Sequence, residues 1–300
     1  MQTVYPKPNR LIILGDVHGD VEKLAVCLFN YGIINEHQEW VVQPPDTIVV
    51  QLGDQVDSAL RIIGGPEPDA WERYPDIEVI YFLDRLDKRA REQGGRFISM
   101  IGNHEVMNSM GDFHMASKTS IDMVGGIERR QHLFAPGGEV AQLLSMRPAV
   151  IKVGDILMCH AGLLTKHLMA VNGDVHRINA IISDYFAGRP VDPHLFQTLF
   201  VDNDSIVWTR AYSALSEDEL APDIAHVLRV CGAGRVVVGH TVVPQIMSRL
   251  NETVWFADVG YSRAFGNNAL QLIDTGQGPG PPCGVPRPLR GAAPLEIYGG

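Results

Sequence analysis

Leu11-Ile12-Ile13-Leu14-Gly15-Asp16-Val17-His18-Gly19 is the stretch on which the fold turns. Four apolar residues are too few for a helix, and with two β-branched positions they read as a buried strand. The strand stops at glycine and delivers Asp16 and His18 into a loop. The same grammar recurs along the chain. Thr47–Leu52 runs into Gly53-Asp54-Gln55-Val56-Asp57, and Arg96–Ile101 into Gly102-Asn103-His104-Glu105. Ile156–Cys159 runs into His160-Ala161-Gly162, and Arg235–Val238 into Gly239-His240-Thr241. Val254–Ala257 is a sixth short apolar run.

Amphipathic stretches separate these strands. Val21–Tyr31 follows Asp20, a suitable N-cap, and Ile77–Gln93 ends at Gly94-Gly95, a helix stop. His176–Phe186 and Ile224–Val230 also read as helices. Alternating strands and helices predict the α/β class. In open α/β sheets, ligands bind beyond the carboxyl ends of the strands, where all five loops are placed. Rigid strands position ligand residues, and glycine lets the backbone crowd close to an ion.

Each residue alone has an ordinary reading: Asp16 and Asp54 as caps or turn residues, His160 as a core histidine, Asn103 as a turn residue. Five such loops, each after a strand, point instead to one shared site. Carboxylate, imidazole and amide oxygen without thiolate suit Mn, Fe, Zn or Co. Two divalent ions, Mn, Fe or Zn, are the expected cofactors. A pair of cations lowers the pKa of bound water and clamps an in-line displacement at phosphorus. The expected activity is hydrolysis of phosphate monoesters.

Composition narrows the alternatives. The 300 residues include 45% apolar side chains, enough for a sizeable core. Lys and Arg number 25 against 35 Asp and Glu, a net charge of -10, which argues against nucleic acid as a general partner. Cys27, Cys159, Cys231 and Cys283 are scattered without a C-x-x-C pair, so a reducing compartment fits best. Cys159 is expected to point away from the site beside His160. Met1–Asn9 shows no secretory signal and no run of ~20 apolar residues spans a membrane, so cytoplasm is the default.

The motif set resembles the phosphoprotein phosphatase branch of the calcineurin-like metallophosphoesterases, over roughly Leu11 to Asp274. Within it, the chain is most similar to the bacterial-type, Shewanella-like protein phosphatases. The Gly-Asp-x-His-Gly, Gly-Asp-x-x-Asp and Gly-Asn-His-Glu blocks carry the family. Phe134-Ala135-Pro136-Gly137-Gly138, Arg147-Pro148 running into Val153-Gly154-Asp155, Trp208-Thr209-Arg210 and Asp258-Val259-Gly260-Tyr261-Ser262 carry the subgroup. The resemblance implies two packed mixed β-sheets flanked by helices. It implies Asp16, His18 and Asp54 at a first metal, with Asp54 bridging, and Asn103, His160 and His240 at a second. His104 takes the place of a general acid and Asp57 that of the carboxylate orienting it; such a pair keeps a histidine protonated near neutrality. The implied substrate is a phosphorylated protein or peptide, at Ser/Thr or at Tyr.

One departure stands out. The family carries Arg-Gly after the Asp57 position, and that Arg grips the substrate phosphate; here Ser58-Ala59 stand there. Arg61, three residues on, is the candidate replacement, beside Arg210 and Asn103 as the other phosphate-binding candidates. Tyr261 is a further candidate near the metals. Two rival readings remain: a small-molecule phosphoesterase such as a dinucleoside-tetraphosphate hydrolase, whose relatives carry Gly-Asn-His-Asp, and an inactive metal-binding scaffold that docks phosphoproteins. A catalytic domain is expected over 1–275. Ala59–Pro75 reads as a loop, and Val106–Pro148 as a partly helical cap. The Gly/Pro-rich tail 276–300 reads as irregular, with an edge strand at Pro294–Tyr298.

Overall fold

The computed structural model describes residues 1–62, 65, 67–266 and 270–276. Ten strands lie among them: β1 Val4–Tyr5, β2 Leu11–Leu14, β3 Ile48–Gln51, β4 Arg96–Ser99, β5 Val150–Val153, β6 Ile156–Cys159, β7 Arg235–Val238, β8 Met247–Arg249, β9 Val254–Phe256 and β10 Ile273–Asp274. They form two mixed sheets, one in the order β1-β5-β6-β7-β9-β8 and the other in the order β10-β2-β3-β4. β2, β3 and β4 are parallel and in register, with Leu11 opposite Ile48 and Ile48 opposite Arg96. β6, β7 and β9 are parallel in the other sheet. The site loops follow β2, β3 and β4 in one sheet and β6 and β7 in the other.

Why the strand runs are apolar on both faces is visible in the packing. Leu11 and Ile13 join Val50, Ile98, Ile151 and Met158 in a core between the two sheets. Ile12 and Leu14 turn the other way, into the larger core under the helices. Alternate side chains point to opposite faces, and here both faces are covered. Full burial of one such side chain stabilises by roughly 1.5–3 kcal/mol.

The expected α/β architecture of two packed mixed sheets flanked by helices is the one that forms. Helix α1 (Val21–Asn30) starts where Asp20 accepts from Lys23 N at 3.3 Å, and α2 (Glu78–Glu92) ends before Gly94, which sits at φ 88°. The stretch after β4 is helical in pieces: α3 Asn103–Ser109, α4 Lys118–Met123, α5 Ile127–Phe134 and α6 Glu139–Leu144. Apart from a 3₁₀ turn at Pro68–Ala70, the described part of Ala59–Pro75 is irregular.

Two expectations need correction. The helix read as Ile224–Val230 begins at Glu217, where Ser216 and Glu219 form a capping box, and Pro222 lies inside it. Pro222, early in the helix, forfeits one backbone bond without ending it. Strand β5 was not anticipated as a strand, yet it pairs antiparallel with β6 across the two-residue turn Gly154-Asp155. Gly154 holds φ 60°, which suits such a turn. The tail beyond Gly276, Cys283 and the strand expected at Pro294–Tyr298 lie outside the described residues. Among the described residues no helix is long and apolar enough to cross a membrane.

Candidate metal centre

Four residues of the strand-end loops hold φ in the left-handed region: His18 (45°), Asp54 (54°), Asp57 (72°) and His240 (61°). Each such conformation costs of order 1–3 kcal/mol and persists only where its surroundings over-determine it. Glu105 supplies much of that. Its buried carboxylate accepts from Asp54 N (3.0 Å), Gln55 N (2.7 Å) and Gly102 N (2.8 Å), lashing the loop after β3 to the start of α3. Val17 N and His18 N both donate to Asp54 O, at 2.9 and 3.0 Å, which ties the loop after β2 to the same point. The glycines leave room for this crowding. A Cβ on Gly102 would overlap the Asp54 carboxylate, and one on Gly239 would overlap that of Asp16.

Ring orientation tests whether the residues present fit a metal. His18 Nδ1 lies 3.2 Å from Val56 O, His160 Nδ1 2.9 Å from Leu52 O, and His240 Nε2 3.2 Å from Trp208 O. A carbonyl only accepts, so in each ring that nitrogen carries the proton and the other offers a lone pair. This is the tautomer control found behind metal-ligating histidines. Asn103 turns its amide oxygen toward His160 Nε2, His240 Nδ1 and Asp54 Oδ2. Turned over, the amide nitrogen would face these three acceptors and Val207 O, with two hydrogens to share among them; a cation among the lone pairs removes the reason to turn. The donor set therefore fits a divalent ion.

Asp54 lies at the centre. Its Oδ2 is 3.2 Å from His160 Nε2, 3.8 Å from His104 Nε2 and 3.9 Å from His18 Nε2. Two clusters of ligand atoms share it: His18, Asp54 and His104, and Asp54, His160 and His240. Asp16 joins from the side, with Oδ2 3.9 Å from His18 Nε2, and both its oxygens accept from His240 N at 3.1–3.3 Å.

Charge follows burial. Desolvation, then the Arg61 and His104 charges, hold His18 well below the usual imidazole range. Burial, above all, pushes His240 down to about 3. Both are neutral and ready to ligate. Asp16 is held well above the carboxylate range by burial, then by Asp258 and Asp54. Crowded buried carboxylates of this kind are relieved by a cation. His104 behaves differently. Burial would lower it, but Asp54 and the hydrogen-bonded Asp57 outweigh that and hold it above its ordinary value. Its Nδ1 is 2.6 Å from Asp57 Oδ2.

Two arginines flank the clusters. Arg61 is half-buried, donates from Nη2 to Asp57 O at 3.1 Å, and lies over the Phe265 ring at 5.0 Å. Its buried Nε–H has no partner. Arg210 is exposed on the His240 side, with Nη1 3.4 Å from Thr241 Oγ1. Ser58 is fully buried and turns its hydroxyl to Glu72.

The sequence profile of the calcineurin-like phosphoesterases matches residues 9–244. The chain belongs to that family. Shewanella-like protein phosphatase 2 of Arabidopsis thaliana is 27% identical, covering 91% of this chain and 77% of its own length. Shewanella-like protein phosphatase 1 of Plasmodium berghei is 30% identical, covering 85% and 67%. The cold-active protein-tyrosine phosphatase of a psychrophilic Shewanella shares the fold, with a TM-score of 0.74, 22% identity and coverage of 92% and 78%. A serine/threonine phosphatase of Saccharomyces cerevisiae shares it at 0.57, with 16% identity and coverage of 92% and 76%. The expected resemblance to the Shewanella-like phosphatases holds, and this calcineurin-like phosphoesterase is a hydrolase whose His/Asp cluster is suited to divalent ions.

The strand-end loops thus bring together Asp16, His18, Asp54, Asn103, His160 and His240, with His104 and Asp57 beside them. Cys159 packs into the helix-side core, away from His160. Tyr261 is buried in that core too, below α1, where Lys23 Nζ donates to its carbonyl. Sequence reasoning gave no role to Glu105, although it stands in a quoted block. It also missed Asp258, which follows β9 and is pushed up to about 6 mainly by burial near Asp16 and Asp54. Asn108, four residues after His104 on α3, donates to both Asp57 oxygens at 2.9–3.0 Å. That spacing puts the two on one helix face, a signal the sequence does carry.

Proposed function

We propose that this phosphoesterase is a protein phosphatase that hydrolyses phosphoserine and phosphothreonine. The observation that carries the reading is the Asp54 carboxylate shared by two ligand clusters, with His104 locked to Asp57 at its edge. The names of the two relatives quoted above favour a protein substrate. Asp16, His18 and Asp54 would hold one ion, and Asp54, Asn103, His160 and His240 would hold the other. When bound, two divalent ions supply an activated water near neutral pH and take up charge on the phosphoryl oxygens. Arg61 and Arg210 grip the phosphate from opposite sides, with Arg61 taking over from the arginine that Ser58 replaces. The unpartnered Arg61 Nε–H supports that role.

Water adds to phosphorus in line with the leaving oxygen. As the P–O bond breaks, His104 Nε2 gives its proton to the departing alkoxide, leaving a neutral imidazole, inorganic phosphate and the alcohol. Asp57 fixes Nδ1, so the proton faces the site.

The test uses metal-stripped protein and para-nitrophenyl phosphate. Adding back Mn or Zn restores turnover in the wild type and not in Asp54→Asn. A phosphoserine peptide then shows a higher kcat/KM than diadenosine tetraphosphate. The reverse ranking would replace the protein substrate with a dinucleotide. Failure of every metal on folded protein would leave a phosphoprotein-docking scaffold.

A further inference from the structure

We propose that Arg130, carried on α5, is a positioning residue for the general acid: it holds the Asp57 carboxylate in the orientation that steers the His104 ring. The proposal rests on the reading of His104 as proton donor given above. Asp57 is gripped at both ends by one buried ion pair. Its backbone N–H donates to Asp76 Oδ2 at 2.8 Å, and its Oδ1 accepts from Arg130 Nη2 at 3.1 Å. Oδ2 faces His104 Nδ1. Arg130 is itself fixed. Nη1 and Nη2 donate to the two Asp76 oxygens at 2.8 Å each, and Nε donates to Asn108 Oδ1 at 2.8 Å. Ser120 Oγ completes the ring with a 2.6 Å bond to Asp76 Oδ1.

Arg130, Asp57 and Asp76 have side-chain exposures of 0%. The Phe113 and Phe134 rings lie 5.7 and 5.0 Å from the guanidinium. Burying three charges is costly, and apolar side chains of the same volume often serve stability as well or better. What the pair provides is direction. The planar fork of arginine serves two carboxylates at fixed angles, which an ammonium does not. Without it, Asp57 Oδ1 keeps the neutral Asn108 Nδ2 donor at 3.0 Å but loses the charged one that fixes it behind His104. This assigns work to the stretch 106–148, which reads in sequence only as a partly helical cap. It delivers a guanidinium 73 residues in sequence from Asp57.

The experiment compares Arg130→Gln, Arg130→Lys and wild type on a phosphoserine peptide and on para-nitrophenyl phosphate. The peptide alkoxide needs a proton, and the nitrophenolate does not. In Arg130→Gln, kcat on the peptide is expected to fall about 30-fold or more with KM within about twofold, while aryl phosphate turnover falls less than about threefold. Arg130→Lys falls between Gln and wild type. A merely structural role lowers the active fraction and so depresses both substrates by the same factor; that result overturns the proposal. If Arg130→Gln does not fold, Arg130→Lys carries the same comparison, and an unchanged peptide-to-aryl ratio there overturns it too. His104→Asn separates the two readings. If His104→Asn is equally slow on both substrates, the general-acid reading fails. If it discriminates and the Arg130 variants do not, only the role of Arg130 fails.

Discussion

At the scale of single residues, the centre depends on side chains and equally on the places where a side chain is missing. Gly102 sits against the Asp54 carboxylate and backbone. Gly102→Ala must therefore shift the residue that both ligand clusters share. An error near 1 Å in a reacting group can cost on the order of a hundredfold. Turnover of para-nitrophenyl phosphate with excess Mn should drop at least that far while the circular dichroism stays native; near-normal kcat would show that the loop yields freely. Arg61→Ala makes a different demand. Losing a charge-assisted contact of about 1.5–3 kcal/mol should lower kcat/KM by roughly tenfold to a hundredfold, with full metal content. An unchanged kcat/KM would leave Arg210 as the sole arginine on the phosphate. The candidate ligand residues stood out in the sequence because each lies within a few positions of a strand end and a glycine. Asp76 and Arg130 were not, because nothing local marks them: they reach Asp57 from 19 and 73 residues away.

At the scale of elements, the strands covered on both faces announced themselves as apolar runs, whereas β5 is interrupted by Lys152 and the two-residue edge strands are too short to show a period. Loops were the least legible, and one of them stores a measurable effect. Glu72 accepts from Ser58 and from Ser117, the N-cap of α4, so it clasps the loop after β3 to the helical stretch. Burial pushes its carboxyl up to about 7. An unfolded glutamate titrates near 4.5, so between those values the folded chain keeps a proton that the unfolded chain has released. Folding stability is then full below about pH 4.5 and declines as pH rises through 7, by up to about 3 kcal/mol. Glu72→Gln cannot ionise and should lose less stability between pH 5 and pH 8 than wild type in thermal melts. Parallel pH profiles for the two proteins would show that Glu72 is ionised in the fold.

At the scale of the whole molecule, the two sheets meet twice, at an apolar core and at the candidate metal centre. Leu11, Ile13 and Val50 meet Ile151 and Met158 between the sheets, and that contact needs no ion. The proposed ligands divide between the sheets. Asp16, His18, Asp54 and Asn103 follow strands of the four-stranded sheet, while His160 and His240 follow strands of the six-stranded one. A cation held by Asp54, His160 and His240 therefore links the sheets in a manner the unfolded chain cannot. At free ion about 100-fold above Kd, such binding adds about 2.7 kcal/mol. With roughly 2–4 °C per kcal/mol in a chain of this size, Mn or Zn should raise Tm by about 5–10 °C over the chelated protein. His104→Asn should keep that increment, since it leaves the proposed ligands in place, and Asp54→Asn should lose it. An equal rise in Asp54→Asn would mean that the ions stabilise some other acidic surface of this chain, whose net charge is -10, and that the shared carboxylate does not tie the sheets together.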